Sequence, residues 1–495
     1  MKICFKLLLV FFPLLGISQN EEDALRYSQT FFGGTARNLS MGGALTALGG
    51  DFSTTSQNPA SMAQFNKGNF SLTPLIETSL NNADFYGQTI PSTNSTIKIG
   101  NVSYLKSYDL TQLPNYKGWA RLQLGIGYNR INTFDNYREY SGNIDNSILN
   151  SFINDANGTP TSDIYSAFPF TAGLAYDVYA IDPESTSTEN LYTTTYKGEA
   201  NHTRVINTKG GIGEYSFLAS ANYKNKLYIG GSVNYNVVKY DISFTHKETY
   251  ELADSIWLND ITYSGYINTE GTGFNVKIGA IYLVNESLRF GFGFHSPTYY
   301  QLKDFWGNDM KASTDDPSFP LKYIAAENKP TGEYDYRLVT PLKVNFSSGY
   351  TFNNKGCIGI ELEYVDFSTS VLKQAKQAIS PYSFNVENQQ IKNIYTNSIN
   401  LKVGGEYKIN PRLAVRGGYA LYHTPYSKNS QVNVKSNHFI TGGLGLNFGD
   451  YYFDFAGVFN RTAYEYFAYN PDIEGSKVFF KENNFRFSVT LGFRI

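Results

Sequence analysis

Cysteine is nearly missing from this chain: only Cys4 and Cys357 occur in 495 residues. Cys4 sits at the extreme start, so Cys357 alone serves the body of the protein. That excludes an internal disulfide framework and a cysteine-built metal cluster. Beyond the first residues, no apolar run approaches the ~20 residues a membrane helix requires, and mean hydropathy is −0.33. Charge is low as well, with 17% charged residues and a formal net charge of −2. No basic patch points to a nucleic-acid partner. The five histidines, His202, His246, His295, His423 and His438, are scattered without HExxH spacing. A GxSxG elbow and a P-loop are absent too. Nothing in these motifs marks a catalytic residue, a metal or a cofactor.

What is abundant is aromatic. The chain has 40 Tyr and 36 Phe, against only 3 Trp and 4 Met. Tyr and Phe without apolar helices suit a barrel whose strands face lipid on one side and water on the other, with aromatics at both interfaces. The start fits export. Lys2 and Lys6 precede an apolar stretch from Leu7 to Ile17, and Gly16 and Ser18 give small residues two apart. Residues 1–18 read as a signal peptide.

Period-two alternation carries the fold assignment. At the C-terminus, Phe485, Phe487, Val489, Leu491 and Phe493 share one face, and Arg486, Ser488, Thr490, Gly492 and Arg494 the other. About ten such residues cross a bilayer as a tilted strand. The pattern recurs in 121–129, 226–238, 287–296, 356–364, 411–422 and 438–448. Tight turns fall at Lys224–Asn225, around Asn285, at Asn353–Asn354, Asn410–Pro411 and Gly449–Asp450, where Asn and Gly tolerate positive φ. Long polar segments at 131–212, 247–270, 299–339, 370–395, 424–435 and 464–483 alternate with them. Counting outward from the turns yields fourteen strands over 69–495, the weakest being the first two hairpins, where Pro74 interrupts. Short turns on one rim and long loops on the other predict an all-β, 14-stranded antiparallel transmembrane barrel of a Gram-negative outer membrane, with both chain ends in the periplasm.

Arg289, His295, Glu361, Glu363, Arg416 and Arg486 fall on the faces opposite the apolar ones, and so point into the lumen. A charge on the lipid face would cost about 2–4 kcal/mol at midplane. Gly125, Gly127, Gly230, Gly291, Gly293 and Gly418 lie inward too, where they leave space or let a plug approach the wall.

Residues 19–68 are not strand-like. They are rich in Gly, Ala, Ser and Thr, and small and mildly apolar enough to pack inside the lumen. The runs Gly34-Thr-Ala-Arg37, Met41-Gly-Gly-Ala44 and Asn58-Pro-Ala60 resemble the N-terminal hatch of the FadL/OmpP1/TodX transporters, closest to their Bacteroidetes-type members. Leu174–Asp182, Gly213–Tyr215 and Tyr228–Gly231 are similar to that branch as well, while Ser61 replaces the family's usual Gly. The resemblance implies a 14-stranded barrel, a lumen plugged by residues 19–68, and passage of hydrophobic compounds through the wall or past the hatch. It places gating at Asn58, Pro59 and Ala60, a triplet that reads equally well as a simple turn on its own chemistry.

The longest loop carries an amphipathic helix at Ile144, Ile148, Leu149 and Phe152, and a second apolar stretch from Ile164 to Ile181 broken by Pro169. Ile148, Phe152, Phe168 and Leu174 are the candidates for capturing a hydrophobic substrate, the competing reading being loop core. The expected partners are outer-membrane lipid and a hydrophobic small molecule. A second reading makes the barrel a non-transporting subunit of a larger secretion or barrel-assembly complex, docking other outer-membrane proteins through 299–339 and 370–395.

Overall fold

The computed structural model describes residues 21–495 apart from 114–115, 185–188, 197, 251–256, 317–321, 353–354, 377–381, 429 and 431–433. The expected signal peptide and the turn at Asn353–Asn354 lie outside the described residues.

Antiparallel strands run as β1 (Asn69–Phe85), β2 (Gln88–Asp109), β3 (Trp119–Thr133), β4 (Asn136–Ile144), β5 (Ala200–Tyr223), β6 (Leu227–Tyr250), β7 (Leu258–Leu283), β8 (Leu288–His295), β9 (Tyr299–Thr314), β10 (Thr331–Val339), β11 (Lys343–Phe352), β12 (Gly356–Asp366), β13 (Asn397–Lys408), β14 (Leu413–Tyr422), β15 (Asn437–Phe448), β16 (Tyr451–Phe467) and β17 (Lys477–Arg494). Three pairs, β3/β4, β8/β9 and β10/β11, are single wall strands interrupted once, so the wall has fourteen members among the described residues. β1 pairs with β17 and closes the barrel. The breaks have local causes. Pro297 and Pro341 lack the amide that a ladder needs, and Thr298 and Thr340 bond one another in its place, at 2.8 and 3.0 Å. Pro74 is absorbed by a register shift after Thr73, so β1 runs on unbroken.

The outward face is as expected. Phe487, Leu491, Leu124, Ile126, Phe292 and Ile360 are all exposed, which in the membrane means in contact with lipid. Aromatic pairs Trp119–Tyr223 and Tyr451–Phe493 mark the rim of short turns, with centroids 5.1 and 4.8 Å apart. The hairpin at Lys224–Asn225 has φ of 53° and 54°, the geometry Asn favours.

Two expectations change. Much of what reads as long loop is strand: β5 and β6 have 24 residues each and β7 has 26, well beyond the ~10 needed to cross. The wall therefore stands far above the bilayer, and an apolar cap built by α3 (Ile148–Ala156), α4 (Ile164–Ala167) and α5 (Ala172–Asp177) sits on it. The chain ends also differ. Gly68 and Ile495 share two backbone hydrogen bonds of 3.0 Å at the periplasmic rim. Glu21, however, starts α1 (Glu21–Ser28) high in the lumen, where Ala24, Leu25 and Tyr27 pack against Tyr240, Tyr336, Phe384 and Tyr395. From there the chain descends inside the barrel to Phe65.

Inward glycines let this descending segment touch the wall. A Cβ at Gly359 would overlap the Ala44 carbonyl oxygen, one at Gly404 the Met41 carbonyl, and one at Gly279 the Asn58 side chain. Gly127, Gly230, Gly291, Gly293 and Gly418 likewise face the hatch, whereas Gly125 meets only Leu105 and Leu218 of the wall. Gly359→Val and Gly404→Val should leave the barrel inserted and heat-modifiable but expel the hatch, read as protease cleavage within 30–65 and entry of hydrophilic antibiotics. Gly442→Ala, whose Cβ meets nothing nearer than 3.8 Å, should change neither.

Candidate functional site

The hatch holds its shape through capping side chains. Thr35 caps the short helix α2 (Ala36–Ser40) and donates to Asp51 at 2.6 Å, while Asp51 caps the 3-10 turn Phe52–Ser56. Asn58 caps the turn Pro59–Gln64, accepting from Ala60 N at 3.0 Å, and Pro59 occupies the first position, where its missing amide costs nothing. With its second function Asn58 reaches the wall, donating to Phe292 O at 3.1 Å.

Buried charges bolt this segment to the lumen. Arg37 binds Glu406 at 3.1 Å, and Arg416 binds both Glu406 and Asp454 at 2.7 and 2.6 Å. Lys402 binds Glu361 at 2.9 Å, and Thr46 donates to the same carboxylate. Lys277 binds Glu214 at 2.5 Å, and Ser56 donates to Glu214 at 2.7 Å. Gln57 O accepts from Asn345 at 3.0 Å and lies 2.7 Å from His295 Nε2. Arg289 donates to Gln64 at 2.7 Å. The lumenal ions foreseen from the sequence are thus satisfied by the hatch and by one another. The straight path down the barrel is filled.

The ladder of the wall is interrupted between β2 and β4. β2 pairs with β3 only from Asn101↔Asn129 to Asp109↔Arg121. Beyond that, the outer half of β2 pairs with β1 alone, and β4 pairs with β5 alone. The cause is a kink. β3 shifts register between Arg130 and Asn132, opposite Gly213 and Ile212, and the adjoining Gly210 and Gly211 have φ values of 117° and 157°. Past the kink, β4 turns inward. Asn136 and Arg138 bind Glu482 at 3.0 and 2.6 Å, and Asn81 donates to Asn136 at 2.7 Å. Side chains bridge what the ladder leaves: Lys98 binds Asp135 at 2.8 Å, and Arg130 donates to Ile99 O at 3.2 Å. The hatch completes the closure. Phe31 N donates to Ile131 O at 3.0 Å, and Gly33 and Gly34 lie against Arg130 and Gly100. Outside, Ile97 is 77% exposed.

Behind this opening lies a cavity of about 470 Å³. Phe31, Phe134, Tyr240, Phe439 and Phe485 give it apolar surface, and its charges are paired, as in Arg138–Glu482 and Arg486–Glu77 at 2.9 Å. Phe134, Asp135 and Asn136 belong both to the cavity lining and to the break in the wall. Arg26, Ile242, Tyr464 and Tyr466 are shared with a larger chamber of about 1250 Å³ above it, lined by Phe244, Tyr266, Tyr395 and Tyr426 among others. The two chambers adjoin, and their aromatic rings are set among paired charges and amides from the outer mouth to the side of the barrel.

Asn58, Pro59 and Ala60 are brought together at the buried lower end of the hatch, against Gly230, Gly279 and Phe292. Ile148, Phe152 and Leu174 are 1%, 2% and 0% exposed in the core of the cap, and Phe168 packs against that core. They sit together, but none of them lines the two cavities. The wall kink escaped the sequence reading. Its available signal was the Gly210-Gly211 pair inside a strand, placed there in a polar loop. Arg138, Tyr464 and Glu482 were hidden in the same way, as members of supposed loops.

A family model described as outer membrane protein transport protein (OMPP1/FadL/TodX) matches residues 186–450. No curated relative matches the chain. Among solved structures, a FadL homologue of Pseudomonas aeruginosa is similar with a TM-score of 0.54 at 13% identity, covering 94% of this chain and 99% of that one. The toluene transporter TodX of P. putida gives 0.52 at 12%, again over 94% and 99%. A monoaromatic hydrocarbon channel, CymD, gives 0.50 at 12% over 94% and 98%. At these identities the likeness is one of fold. Matched in sequence over more than half its residues, the chain belongs to the OmpP1/FadL/TodX family of outer-membrane transport proteins.

Proposed function

We propose that this protein takes up small hydrophobic compounds passively, from the outer mouth through the lumenal cavity and out sideways between β2 and β4 into the bilayer. The observation that carries the reading is the interrupted wall. A ladder break backed by an aromatic cavity has no use in a closed structural barrel, while the axial route is occupied by buried ion pairs. The similar structures that are a toluene transporter and a monoaromatic hydrocarbon channel support the substrate class. Each buried CH₂ is worth about 0.8 kcal/mol, so transfer from a damp lumen into hydrocarbon is downhill without coupling.

Residues 1–18 serve as the export signal and 19–68 as the hatch in this reading. Asn58, Pro59 and Ala60 form the fixed foot of the gate, and Phe31 to Gly34 its moving tip. Ile148, Phe152, Phe168 and Leu174 hold the cap in place over the mouth, so that a captured molecule meets surfaces they support. The alternative as a docking subunit finds less to stand on. Phe384, Ile391 and Tyr395 of the 370–395 segment turn inward onto α1 instead of outward.

Two measurements test the route. In a Cys357→Ser background, Lys98→Cys and Asp135→Cys joined by a short bifunctional thiol reagent should cut uptake of labelled toluene or fatty acid several-fold in cells lacking other transporters. Uptake unchanged by the tether would rule out the lateral exit. Asn58→Ala removes a cap worth about 1 kcal/mol together with its bond to Phe292 O. It should raise leak conductance in planar bilayers while the barrel stays folded. An unaltered leak would deny Asn58 its place in the gate.

A further inference from the structure

The histidines are scattered only along the sequence. His202 of β5 and His246 of β6 meet beneath the cap, with ring centroids 5.4 Å apart, beside Glu248, and all three side chains have no solvent exposure. One ligand atom from each lies within 4.8 Å of the others. His246 Nε2 is 2.8 Å and His202 Nδ1 is 3.4 Å from the same carboxylate oxygen, Oε1. Nitrogen and oxygen ligands at zinc bond lengths of about 2.0–2.2 Å stand roughly 3–3.5 Å from one another. The His202–Glu248 separation matches a coordination shell, and the 2.8 Å His246–Glu248 hydrogen bond would open by a few tenths of an ångström to admit the ion.

The surroundings set the ligand atoms in the right state. His202 Nε2 lies 2.9 Å from the Asn146 carbonyl and donates to it, which leaves Nδ1 as a lone pair facing the carboxylate. Nδ1 has no hydrogen-bond partner. Two acceptors opposed at 3.4 Å need a positive centre between them. A histidine whose second nitrogen is fixed by a carbonyl is the usual outer support of a metal ligand. The other carboxylate oxygen, Oε2, is oriented by Tyr250 at 2.8 Å and by Ser147. The nearby cation Arg204 lays its guanidinium over the Phe244 ring, 4.3 Å from its centroid.

We propose that His202, His246 and Glu248 bind a divalent transition-metal ion, zinc by the chemistry of the donors, which fastens the extracellular cap to the barrel wall. The link to the cap is direct. Ile148 N, in the first turn of α3, donates to Glu248 Oε1 at 2.8 Å, and Ser147 caps that helix. A metal here would join β5, β6 and α3 at one point.

Protein extracted from outer membranes without a polyhistidine tag, stripped with a chelator and titrated with Co²⁺, provides the test. One Co²⁺ per chain should bind with a visible ligand-field band and be displaced by Zn²⁺. His202→Gln and His246→Gln should each weaken binding at least about tenfold, and His438→Gln, at an exposed position, should not. A buried substitution can disturb assembly, so the wild type carries a second readout. Its zinc-edge spectrum should show two imidazoles and a carboxylate, and Zn²⁺ should slow proteolysis between residues 145 and 199. Absence of stoichiometric binding in the wild type overturns the proposal, as does binding retained by both His202→Gln and His246→Gln. The cluster would then be a hydrogen-bonded cap that a proton, not a metal, completes.

Discussion

Within hydrocarbon every backbone amide and carbonyl needs a partner, and a strand edge left bare costs several kcal/mol for each group. This requirement explains why β1 returns to β17 and why the ladder continues almost without fault around the wall. It also makes the interruption between β2 and β4 informative, where residues Gln88 to Gly100 of β2 have no partner in β3. The edge is high on the wall, the Lys98–Asp135 pair and Arg130 supply polar partners across it, and Phe31 of the hatch bonds to Ile131 just where the ladder stops. The opening is thus sealed by side chains and by a separate chain segment. Such a seal can be withdrawn, which a ladder cannot.

The same principle governs the lumen. A charge buried without partners is far more costly than one exposed, yet the inward face carries Glu214, Lys277, Glu361, Lys402, Glu406 and Arg416, all nearly buried. They are tolerable because the hatch takes the place of water. Removing one member of such a pair typically costs about 3–5 kcal/mol, since its partner is left uncompensated. The glycines complete the arrangement. Where a hatch carbonyl must approach the wall, as at Gly359 and Gly404, only hydrogen fits. Charges and glycines therefore form one contact surface, made for the chain's own beginning.

How much of this could be read beforehand follows the physics. Strands inside the membrane were legible because their two solvents differ: Phe487 and Leu491 must face lipid, and Ser488 and Thr490 must not. The strand count and the inward charges follow from that contrast, whereas the hatch was legible in the small-residue composition of 19–68 and in the family resemblance of its motifs. Above the bilayer the outer face meets water instead of lipid, so its side chains need not be apolar, and 258–270 and 299–314 look like loops although their inner side chains alternate into the cap. The kink was invisible for a different reason, since Asn132, Phe134 and the Gly210-Gly211 pair fall in a long polar stretch whose composition reads as loop. Ile148, Phe152 and Leu174 were recognisable as an apolar helix surface, but periodicity cannot say whether such a surface meets a ligand or another helix. Proximity of His202 and His246 is a matter of register between β5 and β6, set by a turn more than twenty residues away from either.

The two ends of the hatch are held by different forces, and the difference indicates which one moves. The lower end is fixed by Asn58, Gln57, Ser56, Arg37, Thr46 and Gln64, through bonds to buried polar or charged groups of the wall. At roughly 1 kcal/mol for each neutral bond and more for the ionic ones, releasing them together would consume a large part of a typical domain's stability. An apolar solute has nothing to offer those groups in exchange. The upper end is held by rings together with a few bonds to backbone and hydroxyl groups, among them Phe31 N to Ile131 O and Phe32 N to Tyr422 Oη, both 3.0 Å. Phe31 lies 5.0 Å from Tyr422, and Phe32 lies 5.3 Å from Phe439. Contacts of that kind are non-directional, and a hydrophobic molecule entering the cavity can replace them in kind. Binding and opening are then coupled without any energy source: the molecule that needs the exit substitutes for the side chains that block it, while polar solutes do not.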